Sequence, residues 1–167
     1  MMRNPPAPTS VLLPRPASNQ YNVQHFLGRR SPVPRSILVV DDHEVIRRQL
    51  RSLFSEYPEF TICGEAVHGV DAIEKAQQLS PDLIILDLSM PEMNGLEAAA
   101  ALRYMLPDVP IFLLTAHYTR ELELAARGSG ICAVFSKHDD LDSLVTRARS
   151  ELKLQQPSNG EPSTQDM

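Results

Sequence analysis

The feature that most constrains the fold is an alternation between short apolar runs and helical patterns that begins near residue 36. Five runs are strand-like, at Ile37 to Val40, Phe60 to Ala66, Leu83 to Leu86, Ile111 to Thr115 and Ala133 to Ser136. The intervening segments are predicted helices, at His43 to Ser55, Asp71 to Leu79, Leu96 to Met105, Thr119 to Arg127 and Leu141 to Leu154. Strict alternation predicts an α/β fold, a doubly wound parallel sheet of five strands covered by five helices.

Several of these segments predict how the layers pack. The run from Leu83 to Leu86 has no polar interruption, which is typical of a central strand buried on both faces. The first helix places an apolar stripe at spacings of three and four, formed by Val45, Ile46, Leu50, Leu53 and Phe54. The fourth helix is expected to be closed by Gly128 or Gly130.

Charge divides the chain into regions of different character. Residues 1–35 carry five Arg, no acid and seven of the 14 prolines, whereas residues 36–167 carry 11 basic and 21 acidic side chains. We expect a disordered extension over 1–35, a folded domain over 36–154 and a disordered tail over 155–167. A domain this acidic would repel a phosphate backbone, so direct nucleic-acid binding is not expected.

The sequence also predicts in which cellular compartment the protein resides. No stretch approaches the roughly 20 apolar residues needed to span a bilayer, so no membrane association is expected. Cys63 and Cys132 lie in apolar surroundings without metal-site spacing. They are interpreted as reduced, buried cysteines of a cytoplasmic protein.

Five polar side chains stand where predicted strands end. Asp41 and Asp42 follow the first strand, Asp87 follows the third, Thr115 ends the fourth and Lys137 follows the fifth. Ligands of doubly wound sheets bind at this edge, where the strand order reverses. One acid there is more often a solvated loop residue or a helix cap, but the coincidence of five polar groups predicts a site.

The three carboxylates determine what the site can hold. Their mutual repulsion would force a proton onto one of them unless cations compensate, and Lys137 supplies a single positive charge. Because the candidate ligands are oxygen atoms, the hard ion Mg²⁺ is the predicted cofactor.

The same groups suit phosphoryl transfer, which needs a positioned nucleophile and donors around the phosphoryl oxygens. Asp87 is the candidate nucleophile, since carboxylates form acyl phosphates, while Lys137 and Thr115 are candidate donors. No Gly-rich loop follows the first strand, which argues against a nucleotide-binding loop. Gly95, directly after Asn94, is interpreted as a turn requirement.

Four segments match a known family in their order and spacing. They are ILVVDDHEVIRRQL, PDLIILDLSMPEMNGLEAAAALR, IFLLTAH and AVFSKHDDL. Together, over about Ser36 to Leu154, they resemble the receiver domain of a two-component response regulator. The resemblance implies the flavodoxin-like strand order 2-1-3-4-5 and phosphorylation-dependent signalling in a phosphorelay.

The resemblance also implies a role for each site residue. Asp87 would be the phosphoacceptor and a metal ligand. Asp42 would bind Mg²⁺ directly and Asp41 largely through water, with the main-chain carbonyl of Ser89 as a further ligand. Thr115 would be the switch hydroxyl, and the lysine that pairs with the phosphoryl group would follow the fifth strand at position 137.

The implied phosphodonor is a phosphohistidine on a histidine kinase or phosphotransfer protein. An output protein that the sequence does not identify, or a second copy of the chain after phosphorylation, would be the partner. Two positions depart from the common pattern: Val134 replaces an aromatic residue, and His138 replaces a proline, as in receivers attached to helix-turn-helix outputs. Because no output domain follows, a stand-alone receiver, or a receiver whose effector domain was lost, is expected.

Three functions remain open at this point. The first is a signalling module, not an enzyme, that promotes its own phosphoryl transfer and dephosphorylation and changes its affinity for a partner. The second is a phosphate sink or relay intermediate. The third is an adaptor independent of phosphorylation, although such an adaptor has no need to tolerate three crowded carboxylates.

Overall fold

The computed structural model describes residues 33–138 and 141–154, so most of the predicted extension and all of the predicted tail lie outside the described residues. Five parallel strands form one sheet, and five helices alternate with them, which confirms the predicted architecture. The strands are β1 (Arg35–Val40), β2 (Phe60–Ala66), β3 (Leu83–Asp87), β4 (Ile111–Thr115) and β5 (Ala133–Ser136). The helices are α1 (Glu44–Ser55), α2 (Gly69–Leu79), α3 (Gly95–Met105), α4 (Arg120–Gly128) and α5 (Asp142–Glu151).

The element bounds differ from the predicted ones by a few residues. Strand β1 begins two residues early, at Arg35, whose N–H donates to the Glu59 carbonyl at 2.8 Å and extends the pairing with β2. Helix α5 ends at Glu151 instead of Leu154, because Lys153 adopts a left-handed backbone with φ of 53°. Among the described residues, no helix is long and apolar enough to cross a bilayer.

The sheet order is β2-β1-β3-β4-β5, as predicted. The chain passes from edge strand β2 over β1 to β3, so the order reverses between β1 and β3. All five residues of β3 are buried, which confirms it as a central strand. A ligand site is therefore favoured beyond the carboxyl ends of β1 and β3.

Each face of the sheet carries its own hydrophobic core. On one face, Leu38, Ile84 and Leu113 pack against buried alanines and leucine of α2, α3 and α4. On the other face, Val39, Ile85 and further strand residues pack against α1 and α5. The strands are thus covered on both sides, as parallel sheets require.

The apolar stripe predicted for α1 is wrong at one position. Leu50 and Phe54 are buried and Ile46 and Leu53 are partly buried, but Val45 is 63% exposed. Val45 and Leu50 are five positions apart on the helix, which turns the two side chains about 140° apart. Val45 therefore faces away from the sheet.

The end of α4 selects between the two predicted glycine caps. Gly128 is the last helical residue and Ser129 follows as the cap. Gly130 adopts a left-handed backbone with φ of 78°, so it provides the conformation expected of a helix-terminating glycine.

The two cysteines are free thiols on opposite faces of the sheet. Each is partly buried, so the prediction of buried side chains was correct in environment and wrong in degree. Burial raises the pKa of the Cys63 thiol, which keeps it protonated and unreactive near neutral pH.

Candidate functional site

The predicted site residues meet at one edge of the sheet. Asp41 follows β1 directly and Asp87 is the last residue of β3, its neighbour. Thr115 is the last residue of β4, and the N–H of Lys137, immediately after β5, donates to the Thr115 carbonyl at 2.8 Å. Parallel strands end at the same edge, so four residues scattered along the chain converge there.

An ammonium group shared by two buried carboxylates forms the centre of the site. Lys137 Nζ lies 2.7 Å from Asp41 Oδ2 and 3.0 Å from Asp87 Oδ1. The side chains of Asp41 and Asp87 are 1% and 2% exposed, and that of Lys137 is 10% exposed. The sequence placed these residues at one edge, and the structure adds that a single lysine serves both acids.

The charges of this cluster do not balance, and the pKa values reflect it. Burial raises the pKa of the Asp87 carboxyl above its ordinary value; the Asp41 charge adds to that effect, and Lys137 opposes it without cancelling it. Burial alone would lower the pKa of Lys137, but the two carboxylates outweigh burial and raise it. The lysine therefore stays charged, while the metal-free site disfavours the ionised form of Asp87.

The donor atoms of the site fit a magnesium ion. Carboxylate oxygens of Asp41, Asp42 and Asp87, together with the His43 imidazole, lie within 4.8 Å of one another. Asp41 Oδ2 is buried and makes no hydrogen bond of regular geometry with any described residue, although Lys137 Nζ is near. Hard oxygen donors, one of them without a regular partner, are the ligand set that Mg²⁺ prefers.

The β3–α3 loop is held close to the Asp87 carboxylate. The Ser89 N–H is near enough to the Asp87 carboxylate to favour its ionised form and lower its pKa, and the Gly95 N–H donates to the Leu88 carbonyl at 2.9 Å. A Cβ on Gly95 would lie 2.2 Å from the Asp87 carbonyl oxygen. Gly95 is therefore required by close backbone approach, which corrects the interpretation as a turn requirement.

Helix α3 begins with a capping box that orders the end of this loop. The Asn94 side chain accepts hydrogen bonds from the N–H groups of Leu96 and Glu97, and the Glu97 carboxylate accepts one from the Asn94 N–H. The loop between Asp87 and α3 is thereby anchored at both ends.

Thr115 ends β4, the strand next to the one that Asp87 ends. Its hydroxyl oxygen accepts the His117 N–H at 3.1 Å, and Asp87 is in register with Leu114, the preceding residue on β4. Thr115 is 1% exposed, while Ala116 and His117 are exposed.

Two neighbours of the acidic pair were not predicted as part of the site. His43 Nδ1 lies 2.7 Å from Asp42 Oδ1 and 3.4 Å from Asp41 Oδ1. Arg47 donates from Nη1 to the Asp41 carbonyl at 2.7 Å. Adjacency to the acids was the signal available for His43, whereas nothing in the sequence indicates that Arg47 turns back towards β1.

Comparison with known proteins gives a consistent result. The family model described as "Response regulator receiver domain" matches residues 37–149. The chain is 38% identical over 117 residues to the response regulator protein VraR of Staphylococcus saprophyticus, covering 70% of this chain and 56% of that one. It is 35% identical over 109 residues to an uncharacterized transcriptional regulatory protein, YhcZ, of Bacillus subtilis, covering 65% and 51%. The chain thus spans about half the length of these curated relatives.

Solved structures agree with the sequence relatives. The signal receiver domain of the putative response regulator NarL from Mycobacterium tuberculosis is 29% identical, with a TM-score of 0.68, over 74% of this chain and 100% of that one. A two-component response regulator of the LuxR family from Aurantimonas is 27% identical, with a TM-score of 0.69, over 72% and 86%.

Proposed function

Because the chain belongs to the response regulator receiver domains of two-component systems, with relatives of the LuxR and NarL type, we propose that it accepts a phosphoryl group on Asp87 and thereby alters its affinity for a partner. The observation that carries the proposal is the Lys137 ammonium shared by two buried carboxylates, at 2.7 and 3.0 Å. A fold alone would not require so costly an arrangement, since buried carboxylates with incomplete compensation destabilise a protein.

The proposed reaction transfers phosphorus from nitrogen to oxygen. A carboxylate oxygen of Asp87 attacks the phosphorus of a phosphohistidine on a histidine kinase or phosphotransfer protein. The P–N bond breaks, its electron pair stays on the imidazole, and the imidazole takes up a proton. Asp87 already carries the charge that attack requires once a cation compensates its neighbours, so no general base is needed.

Three further groups support the transfer in this proposal. Asp42, Asp87 and the Ser89 carbonyl would hold Mg²⁺ directly, with Asp41 acting through water. When bound, Mg²⁺ neutralises charge that develops on the phosphoryl oxygens. Lys137 would donate to one phosphoryl oxygen.

The new charge would also drive the response. A phosphoryl group on Asp87 competes with Asp41 for Lys137 and offers acceptors to the Thr115 hydroxyl. Movement of these two residues, at the ends of β5 and β4, would shift the surface around α4. Val134, whose side chain packs on the α2–α4 side of the sheet, stands where an aromatic switch residue is common, so the response would proceed without a ring rotation.

The proposal retains the expected organisation of the chain. Residues 36–154 would be the receiver unit and the cytoplasm its location, while residues 1–32 and 155–167 lie outside the described part of the chain.

Intact mass spectrometry after incubation with acetyl phosphate tests the proposal. The wild-type chain is expected to gain one phosphoryl group in the presence of Mg²⁺ and none with a chelator. Asp87→Asn should remain unmodified, whereas the control Asp108→Asn, which removes an exposed acid, should behave as wild type. An adduct that persists in Asp87→Asn, or its absence from wild type with Mg²⁺, would refute the assignment.

A further inference from the structure

Arg47 connects the acidic pair to the edge strand of the sheet. Its side chain is 13% exposed. Nε donates to Glu65 Oε2 on β2 at 3.0 Å, and Nη1 donates to the Asp41 carbonyl at 2.7 Å. One guanidinium group therefore bridges β2 and the first peptide after β1.

The Asp41 carbonyl is the first backbone group beyond the hydrogen-bond ladder between β1 and β2. The last pair of the β1–β2 ladder is Val40 with Ala66, and the Asp41 N–H still donates to the Ala66 carbonyl at 3.1 Å. The Asp41 carbonyl lies beyond this ladder and receives its hydrogen bond from Arg47. Because the peptide is planar, fixing this carbonyl also fixes the Asp42 N–H and the place of the Asp42 Cα, the atom from which the side chain leaves the backbone.

We propose that Arg47 is a positioning residue for the metal site: by holding the Asp41–Asp42 peptide against Glu65, it orients the Asp42 carboxylate towards Asp41 and Asp87. This inference rests on the proposed function, since it concerns affinity for the Mg²⁺ ion assigned there. Groups that orient metal ligands typically change metal affinity about ten- to a hundredfold when removed.

The chain offers a matched control in Arg51. Arg51 donates to the other oxygen of the same Glu65 carboxylate, at 2.6 Å. Its side chain is 52% exposed and, unlike that of Arg47, makes its hydrogen bond to Glu65 without one to the acidic pair. Glu65 has a further anchor, because Lys75 Nζ donates to its carbonyl. Replacing Arg47 or Arg51 by methionine removes one positive charge and one contact with Glu65 in both cases, and only the first also frees the Asp41 carbonyl.

The direction in which the Kd for Mg²⁺ changes in Arg47→Met distinguishes a positioning role of Arg47 from a purely electrostatic one. Loss of a cation near the three carboxylates would by itself tighten Mg²⁺ binding, because the site becomes more negative. Loss of the orientation of the Asp42 ligand would instead weaken Mg²⁺ binding. Arg47→Met is therefore expected to raise the Kd for Mg²⁺ about tenfold or more, and Arg51→Met to change it less than about twofold.

Isothermal titration of the full-length chain with MgCl₂ measures these constants without any phosphodonor. Arg47→Lys keeps the charge but cannot bridge two acceptors in the same way, so it should give an intermediate Kd. It also keeps the inference testable if the methionine variant does not fold. A metal-free readout accompanies the titration: the Asp42 amide resonance should shift in Arg47→Met and stay in place in Arg51→Met.

Each outcome bears on a distinct claim. Equal Kd values in Arg47→Met and Arg51→Met, with wild-type binding intact, would overturn the inference about Arg47 and leave the proposed function standing. Tighter binding in Arg47→Met would overturn it as well, since charge would then dominate. Failure of the wild-type chain to bind Mg²⁺ would overturn the metal site of the proposed function and this inference with it.

Discussion

Replacement of Asp87 by asparagine is expected to stabilise the metal-free domain. The Asp87 side chain is 2% exposed, and its pKa is raised by burial and by the Asp41 charge. Asparagine has nearly the same shape and can accept a hydrogen bond from Lys137, but it carries no charge. The variant therefore removes an unfavourable charge without leaving a cavity.

Three contributions set the magnitude. Repulsion between Asp87 and Asp41 oxygens within 4.8 Å is about 3.5 kcal/mol at an effective dielectric constant of roughly 20. Attraction to Lys137 at 3.0 Å is about 5.5 kcal/mol on the same scale. Burial of the carboxylate costs several kcal/mol, so the repulsion and burial together exceed the attraction. Asp87→Asn should gain about 1–2 kcal/mol in unfolding free energy near neutral pH.

The stability advantage of Asp87→Asn over wild type should shrink as the pH falls and when Mg²⁺ is added. The folded pKa of Asp87 lies above its ordinary value of 3.8, so the penalty in wild type is present above the folded pKa and disappears as pH falls through it towards 3.8. The two proteins should therefore converge in acid. Mg²⁺ at ten times its Kd adds about 1.4 kcal/mol to wild type by mass action and less to the variant, which lacks one ligand.

Urea denaturation followed by circular dichroism, with a chelator or with Mg²⁺, measures these differences. Asp108→Asn, an exposed acid in the α3–β4 connection, is the control and should stay within about 0.5 kcal/mol of wild type. The reasoning is refuted if Asp87→Asn is less stable than wild type in chelator near neutral pH. It is refuted as well if the stability difference does not shrink in acid.

Three other substitutions test separate parts of the structure. Gly95→Ala places a Cβ 2.2 Å from the Asp87 carbonyl oxygen and should cost about 2–3 kcal/mol in a urea titration; unchanged stability would contradict the close approach. Asn94→Ala removes the cap of α3 and should cost about 1 kcal/mol by the same method, whereas Asn94→Ser should cost much less. The hydrogen bond to Glu123 raises the pKa of Tyr118 above 10.0, so Glu123→Gln should lower that pKa in an ultraviolet titration read against Tyr118→Phe; an unchanged curve would exclude this cause.

The sequence predicted the elements well because their signals are local. The bounds of β2, β4 and β5 agree with the prediction, since apolar runs and their polar ends mark strands directly. The largest error in a bound was at the end of α5, where polar and apolar residues continue a helical pattern past Glu151. The backbone leaves the helix there, and Lys153 adopts a left-handed conformation that periodicity does not reveal.

The sequence predicted which polar residues gather at this edge of the sheet, and it predicted less of how they are arranged there. The acids at the ends of β1 and β3 were identified because parallel strands end at one edge. Val45 was assigned to the buried stripe of α1 because it is apolar, but the helix turns it to solvent. Gly95 was assigned to a turn, although its small size is needed where α3 meets the Asp87 carbonyl.

By itself, the sequence determined the order of strands and helices, the edge at which polar groups gather and, through its motifs, the family. These features follow from the sequence because the apolar periodicity of a strand or helix is visible within a few consecutive residues. Only the tertiary structure decided that Lys137 serves both Asp41 and Asp87, and that Arg47 reaches back to the Asp41 carbonyl. Such contacts join residues distant in the chain and depend on how strands pair and helices pack, which local patterns do not encode.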